Sequence, residues 1–137
     1  MSAQQPTDLH RLMSDALATG NRAAALALYE PDAVFVPQPG QAASGLAAIG
    51  AALDQFMALK PTLIVDPAQV LQAGDTALLR ATWTLTGTGP DGQPIRMAGE
   101  ATDVARRQPD GSWRYLIDQP WGASDAGGRR PAPRSHG

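Results

Sequence analysis

Up to Pro61 the apolar residues recur at helical spacing, and beyond it they alternate. Leu9, Leu12, Met13, Ala16 and Leu17 form an i, i+3, i+4, i+7, i+8 stripe, which predicts a helix capped at Thr7–Asp8 and ended by Gly20. Asn21 then caps a second, shorter helix carrying Ala25, Leu28 and Tyr29, and Pro31 stops it. Ala33 to Val36 reads as a short strand, cut off by Pro37-Gln38-Pro39-Gly40. A third helix starts at Ser44, turns Leu46, Ile49, Leu53, Phe56 and Met57 inward, and closes at Lys60-Pro61.

Thr62 to Leu71 is a strand with Leu63 and Val65 on one face, and Pro67 restricts it to an edge or a bulge. After the turn Ala73-Gly74-Asp75, the residues Ala77, Leu79, Ala81, Trp83 and Leu85 alternate with Leu78, Arg80, Thr82, Thr84 and Thr86. Gly89-Pro90-Asp91-Gly92 and Pro109-Asp110-Gly111 mark hairpins on either side of a strand from Ile95 to Arg107, and Trp113 to Gln119 is the last strand. Helices followed by a meander of strands predict an α+β fold. The expected form is a cone: a curved antiparallel sheet packed on three N-terminal helices and enclosing a pocket. One domain accounts for residues 1–122. The Gly/Ala/Pro/Arg-rich stretch 123–137 has no core-forming residues and is expected to be disordered, with Arg129, Arg130 and Arg134 making its end basic.

Composition narrows the function. With 137 residues, 43% of them hydrophobic, the chain has the material for one real core. A net charge of -2 and only 18% charged residues leave no footprint for nucleic acid. There is no cysteine, so thiol catalysis and cysteine-bound metal are excluded. His10 and His136 lie far apart and no zinc spacing occurs, so neither metal nor cofactor is expected. No apolar run approaches a membrane span and the start lacks a basic, then apolar, signal pattern, so a cytoplasmic protein that does not engage membranes is the expectation.

One carboxylate breaks the strand pattern. Between Ile95 and Arg107 the positions Ile95, Met97, Gly99, Ala101, Asp103 and Ala105 share a parity, which places Asp103 on the apolar face. A buried carboxylate is costly unless protonated or hydrogen-bonded, and Asp103 is therefore the candidate catalytic acid. The alternatives are a bulge that puts it at the sheet surface, or a structural bond to a neighbouring Tyr, Trp or Arg. Asp118 has the opposite parity from Trp113 and Ile117 and reads as exposed unless Pro120 marks a bulge. His10, flanked by Leu9 and Arg11, reads as a surface histidine.

Certain strings carry a family resemblance: Ala18-Thr19-Gly20-Asn21, Leu28-Tyr29-Glu30-Pro31-Asp32-Ala33-Val34, Ser44-Gly45-Leu46-Ala47-Ala48-Ile49, and Arg106-Arg107-Gln108-Pro109-Asp110-Gly111-Ser112-Trp113-Arg114. In this order and spacing, over about residues 7–122, the chain resembles the nuclear-transport-factor-2-like superfamily, which includes ketosteroid-isomerase-like and SnoaL-like proteins. It looks most like the branch of small bacterial SnoaL-like proteins. The resemblance implies a cone-shaped α+β domain with a pocket. Carried onto this sequence, the isomerase's oxyanion-binding Asp falls at Asp103, its catalytic Tyr at Met13 and its proton-shuttling Asp at Pro37. The last two roles are vacant here, so steroid isomerisation is not the leading expectation.

Pocket-lining candidates are Met13, Tyr29, Phe35, Phe56, Leu79, Trp83, Met97, Tyr115 and Trp121. Trp121 either closes the mouth or packs the chain end onto the sheet. The leading expectation is a protein that binds a small hydrophobic molecule and forms a homodimer through the threonine-rich outer face of the sheet. One rival is an isomerase, cyclase or hydratase for a hydrophobic carbonyl or polyketide-like substrate. That rival needs a second polar group opposite Asp103, for which Tyr29, Tyr115 and Gln38 are at hand. Another rival is an interaction module whose cone is filled by its own side chains.

Overall fold

The computed structural model describes residues 2–122. The predicted tail from 123 onward lies outside the described residues. Helix α1 spans Asp8–Thr19 and buries Leu9, His10, Leu12, Met13, Ala16 and Leu17. Gly20 ends it in the left-handed region, with its N–H turned back to the carbonyls of Ala16 and Leu17. Asn21 caps α2 (Arg22–Leu26) by accepting from the Ala24 N–H at 3.0 Å. This helix is shorter than its apolar pattern suggests. Leu28 and Tyr29 leave it, and Tyr29 opens strand β1 (Tyr29–Gln38), which runs through Pro31 and Pro37. A short strand β2 (Gln41–Ser44) turns back on β1, so α3 (Leu46–Met57) begins after Gly45 rather than at Ser44.

Four strands complete the sheet: β3 (Thr62–Ala73), β4 (Thr76–Thr88), β5 (Pro94–Arg107) and β6 (Trp113–Asp118). Their spatial order is β2-β1-β6-β5-β4-β3. The sheet is mixed rather than wholly antiparallel, because β1 and β6 run parallel, with Tyr29 facing Tyr115 and Val34 facing Ile117. Local hairpin signals cannot reveal that pairing, which joins segments far apart in the chain. Strand β3 is an edge strand and also shifts register between Pro67 and Gln69, which satisfies both demands of that proline.

The concave face packs on the helices around Leu9, Tyr29, Ile49 and Leu79, all fully buried. A satellite cluster of Trp83, Leu85 and Ala101 extends this core towards the open end. On the convex face Ile64, Leu71 and Ile117 are exposed among the threonines of β4. No helix among the described residues is long and apolar enough to cross a membrane.

Candidate functional site

Between α1, α3 and the concave face lies a cavity of about 90 Å³. Its inner part is walled by buried residues, among them Met13, Tyr29, Leu53, Asp103 and Tyr115. Towards the mouth stand half-buried apolar ones: Pro37, Phe56, Leu63, Val65, Pro120 and Trp121. Of the residues proposed from sequence, Met13, Tyr29, Phe35, Phe56, Trp83, Tyr115, Trp121 and Asp103 line this space. Two do not. Leu79 is wholly enclosed in the core, and Met97 packs on the satellite cluster opposite Leu85.

Asp103 reaches the cavity by strand parity. It faces Leu79 across the β4–β5 ladder and is 2% exposed. Its Oδ1 accepts from the Gln119 N–H at 2.8 Å. The second acid arrives by a different route. Ala105 pairs with Tyr115, but Val104 pairs with Ile117, so β6 carries one extra residue at Leu116. A one-residue bulge exchanges the faces of everything beyond it. Ile117 therefore points out, 40% exposed, and Asp118 points into the cavity. The reading of Asp118 as exposed is overturned by this bulge, which lies before Asp118 and not at Pro120. The one hint in the sequence is the run Tyr115-Leu116-Ile117, three large apolar residues that interrupt the alternation.

The two carboxyls lie close enough in the cavity wall for each to shift the other's protonation. Asp118 Oδ2 also accepts from the Tyr29 hydroxyl at 2.5 Å. Burial raises the pKa of Asp103 well above the ordinary aspartate range, the charge of Asp118 adds to this, and the Gln119 N–H opposes it. Burial also raises Asp118, while hydrogen bonds from Tyr29 and Asp103 favour its ionised form. Both carboxyls are thus pushed towards their protonated forms, Asp103 the more strongly, and the two titrate as a pair. Tyr29 and Tyr115 are pushed well above the normal tyrosine range, first by burial and then by these same carboxyls, so both remain neutral donors. Their rings lie 5.4 Å apart, and Phe35 stands 6.1 Å from Tyr29. Gln38, at the end of β1, is exposed and takes no part.

His10 is the other correction. It is buried, 6% exposed, and lines the cavity. Its position was readable: His10, Met13 and Leu17 follow an i, i+3, i+7 spacing on the inward side of α1. Burial lowers its pKa.

Residues 119–122 form a strap across the mouth. Thr102 N–H donates to the Gln119 carbonyl at 2.9 Å, and Trp83 Nε1 donates to the Pro120 carbonyl at 2.7 Å. Trp121 Nε1 reaches the Pro37 carbonyl at 3.1 Å, and its ring meets Trp83 edge-on at 5.2 Å. Trp121 thereby both borders the cavity and ties the strap down. Glycine is required where the strap passes β5. Gly122 has φ of 56°, and a Cβ there would lie 2.4 Å from the Glu100 carbonyl.

Chemically, the site offers two interacting carboxyls of raised pKa and two phenols inside an apolar wall. Among the described residues no group of three or more acidic, histidine or cysteine side chains is arranged to hold a metal.

Solved structures with this fold are numerous. A protein from Xanthomonas campestris, provisionally assigned as a calcium/calmodulin-dependent protein kinase II association domain, is 26% identical with a TM-score of 0.74, over 82% of this chain and 81% of that one. A protein of the NTF2-like family from Streptomyces avermitilis, provisionally assigned as a dehydratase, is 21% identical with a TM-score of 0.73, over 85% and 92%. A protein from Shewanella frigidimarina, provisionally assigned as a ketosteroid isomerase, is 22% identical with a TM-score of 0.66, over 81% and 90%. No curated protein sequence matches the chain. The model of the SnoaL-like domain matches residues 9–116, which is most of the described residues. With its helix order and mixed curved sheet, which is the fold of the NTF2-like proteins, the chain belongs to the SnoaL-like domain family.

Proposed function

We propose that the cavity binds a small apolar molecule bearing a carbonyl or hydroxyl group, and that the Asp103–Asp118 pair moves a proton on it. The reaction class is that of an isomerase, a cyclase or a hydratase working in either direction. The observation that carries this reading is two carboxyls, one held by the Gln119 N–H and the other by the Tyr29 hydroxyl, side by side on an apolar cavity wall. Such a pair holds a base and an acid ready at once, as abstraction of a C–H proton next to a carbonyl requires. In this role Asp118 accepts the carbon-bound proton. Asp103, with Tyr115 beside it, donates to the developing enolate oxygen or to a departing hydroxyl. Positioned groups of this kind contribute about 10²–10⁴-fold in rate. The names of the dehydratase and isomerase neighbours agree with this class but carry only the fold at their level of identity.

The test is deuterium exchange of the α-protons of cyclopentanone in D2O, followed by proton NMR. Wild type should accelerate exchange over buffer, and Asp103→Asn and Asp118→Asn should each remove the acceleration. Exchange no faster than buffer, or equally fast in both variants, contradicts the proposal. The reading of a cone plugged by Trp83 and Phe56 fares less well, since both border an open space rather than fill it. A homodimer through the convex face belongs to the same proposal, because it would cover Ile64, Leu71 and Ile117. Sedimentation at the monomer mass at high concentration would remove that part.

A further inference from the structure

His10 stands apart from the acid pair in the wall of the same cavity. It comes from α1, while Asp103 and Asp118 come from the sheet. Its Nε2 is buried without a hydrogen-bond partner among the described residues. A buried ring nitrogen left unpaired is costly, and in a residue that lines a cavity it points to a group that completes it. Burial lowers the pKa of His10. The ring is therefore neutral, with one donor and one acceptor nitrogen. The cavity then has polar groups in two places, an acid pair backed by Tyr29 on the sheet and an imidazole on the helix, with apolar side chains making most of the remaining wall.

We infer that His10 is a specificity-determining residue: the molecule this site takes carries a second uncharged oxygen, which hydrogen-bonds the His10 ring while the first engages Asp103 and Asp118. This rests on reading the cavity as a ligand site. A hydroxyl suits the position best, since it both donates and accepts and so matches either tautomer of the ring. A second carboxylate or a phosphate does not fit. It would lose its hydration against a neutral ring and would share a small cavity with the anionic acid pair.

The experiment uses phenol, resorcinol and hydroquinone as probes, rigid rings with one or two hydroxyls, titrated into protein labelled with ¹⁵N-histidine. The sequence has only two histidines, His10 and His136, and His10→Gln assigns their signals. Phenol should bind and leave the His10 ring nitrogens in place. One of the two diphenols should bind about tenfold more tightly and shift them. In His10→Leu the ratio of diphenol to phenol affinity should fall to about one. Equal affinities for all three probes with unmoved His10 signals in wild type would overturn the inference and leave the cavity reading intact. If no probe disturbs the resonances of cavity residues such as Tyr29 and Trp83, the cavity reading itself fails, and the inference falls with it.

Discussion

Asp103→Asn exchanges the protonated carboxyl for a neutral amide of the same shape. The amide still accepts from the Gln119 N–H through its oxygen and donates to Asp118 through its nitrogen. In wild type, burial and the charge of Asp118 raise the pKa of Asp103. Between the ordinary aspartate value and the raised one, the folded chain keeps a proton that the unfolded chain has released. Stability therefore falls as pH rises through that window. The contribution is fully present below the ordinary value and is lost once pH passes the folded one. Each tenfold gain in the folded state's hold on the proton corresponds to about 1.4 kcal/mol lost above the window. For a domain of this size 1 kcal/mol moves the melting temperature by about 3–5 °C. The variant carries no proton at this position and escapes the loss. It should melt within about 2 °C of wild type at pH 4 and at least about 4 °C above it at pH 8. Melts followed by circular dichroism at intervals from pH 4 to pH 9 give the difference directly, because the surface groups titrate alike in both proteins. A gap that stays constant, or one that opens towards acid, would refute the reasoning. The gain should come with loss of exchange activity, the usual trade at a strained polar site.

Other perturbations test other parts of the account. Tyr29→Phe removes the hydroxyl that donates to Asp118; a hydrogen bond to a charged group is worth about 1.5–3 kcal/mol, so urea unfolding at neutral pH should show a loss of that order, shrinking in acid as Asp118 takes a proton. Gly122→Ala forces a Cβ against the Glu100 carbonyl at a positive φ. It should cost about 1 kcal/mol or more and release the strap, seen as a red shift of tryptophan fluorescence from Trp83 and Trp121. Leu79→Ala, in the core behind Asp103, should lose about 2–5 kcal/mol in urea denaturation. A loss below 1 kcal/mol there would place Leu79 outside the main core.

Much of the fold is legible in the sequence because its signals are local. The α1 stripe, the Asn21 cap, the β4 alternation and the Gly-containing hairpins each depend on neighbours a few residues apart. The parallel contact of β1 with β6 does not, and it is what joins Tyr29 to Asp118. Asp103 can be found from parity because β5 runs unbroken against β4 from Thr88 to Thr76. Asp118 escapes parity because the extra residue at Leu116 changes face just before it. His10 is concealed by its charged neighbour Arg11, although its spacing from Met13 and Leu17 places it on the buried side. Strand parity and helix spacing thus recover the apolar wall more readily than the polar groups set into it. Two of those groups depend on a bulge hinted at only by Tyr115-Leu116-Ile117 and on a crossover with no local signature.

The proposed chemistry needs a carboxyl pair that keeps one proton inside the cavity at neutral pH. Carbon-13 NMR of the Asp103 and Asp118 side-chain carboxyls across pH measures this without any ligand. Asp103 should stay protonated well above the range of an ordinary aspartate, and its signal should respond to the titration of Asp118. Ionisation of Asp103 in the ordinary range, independent of Asp118, would contradict it.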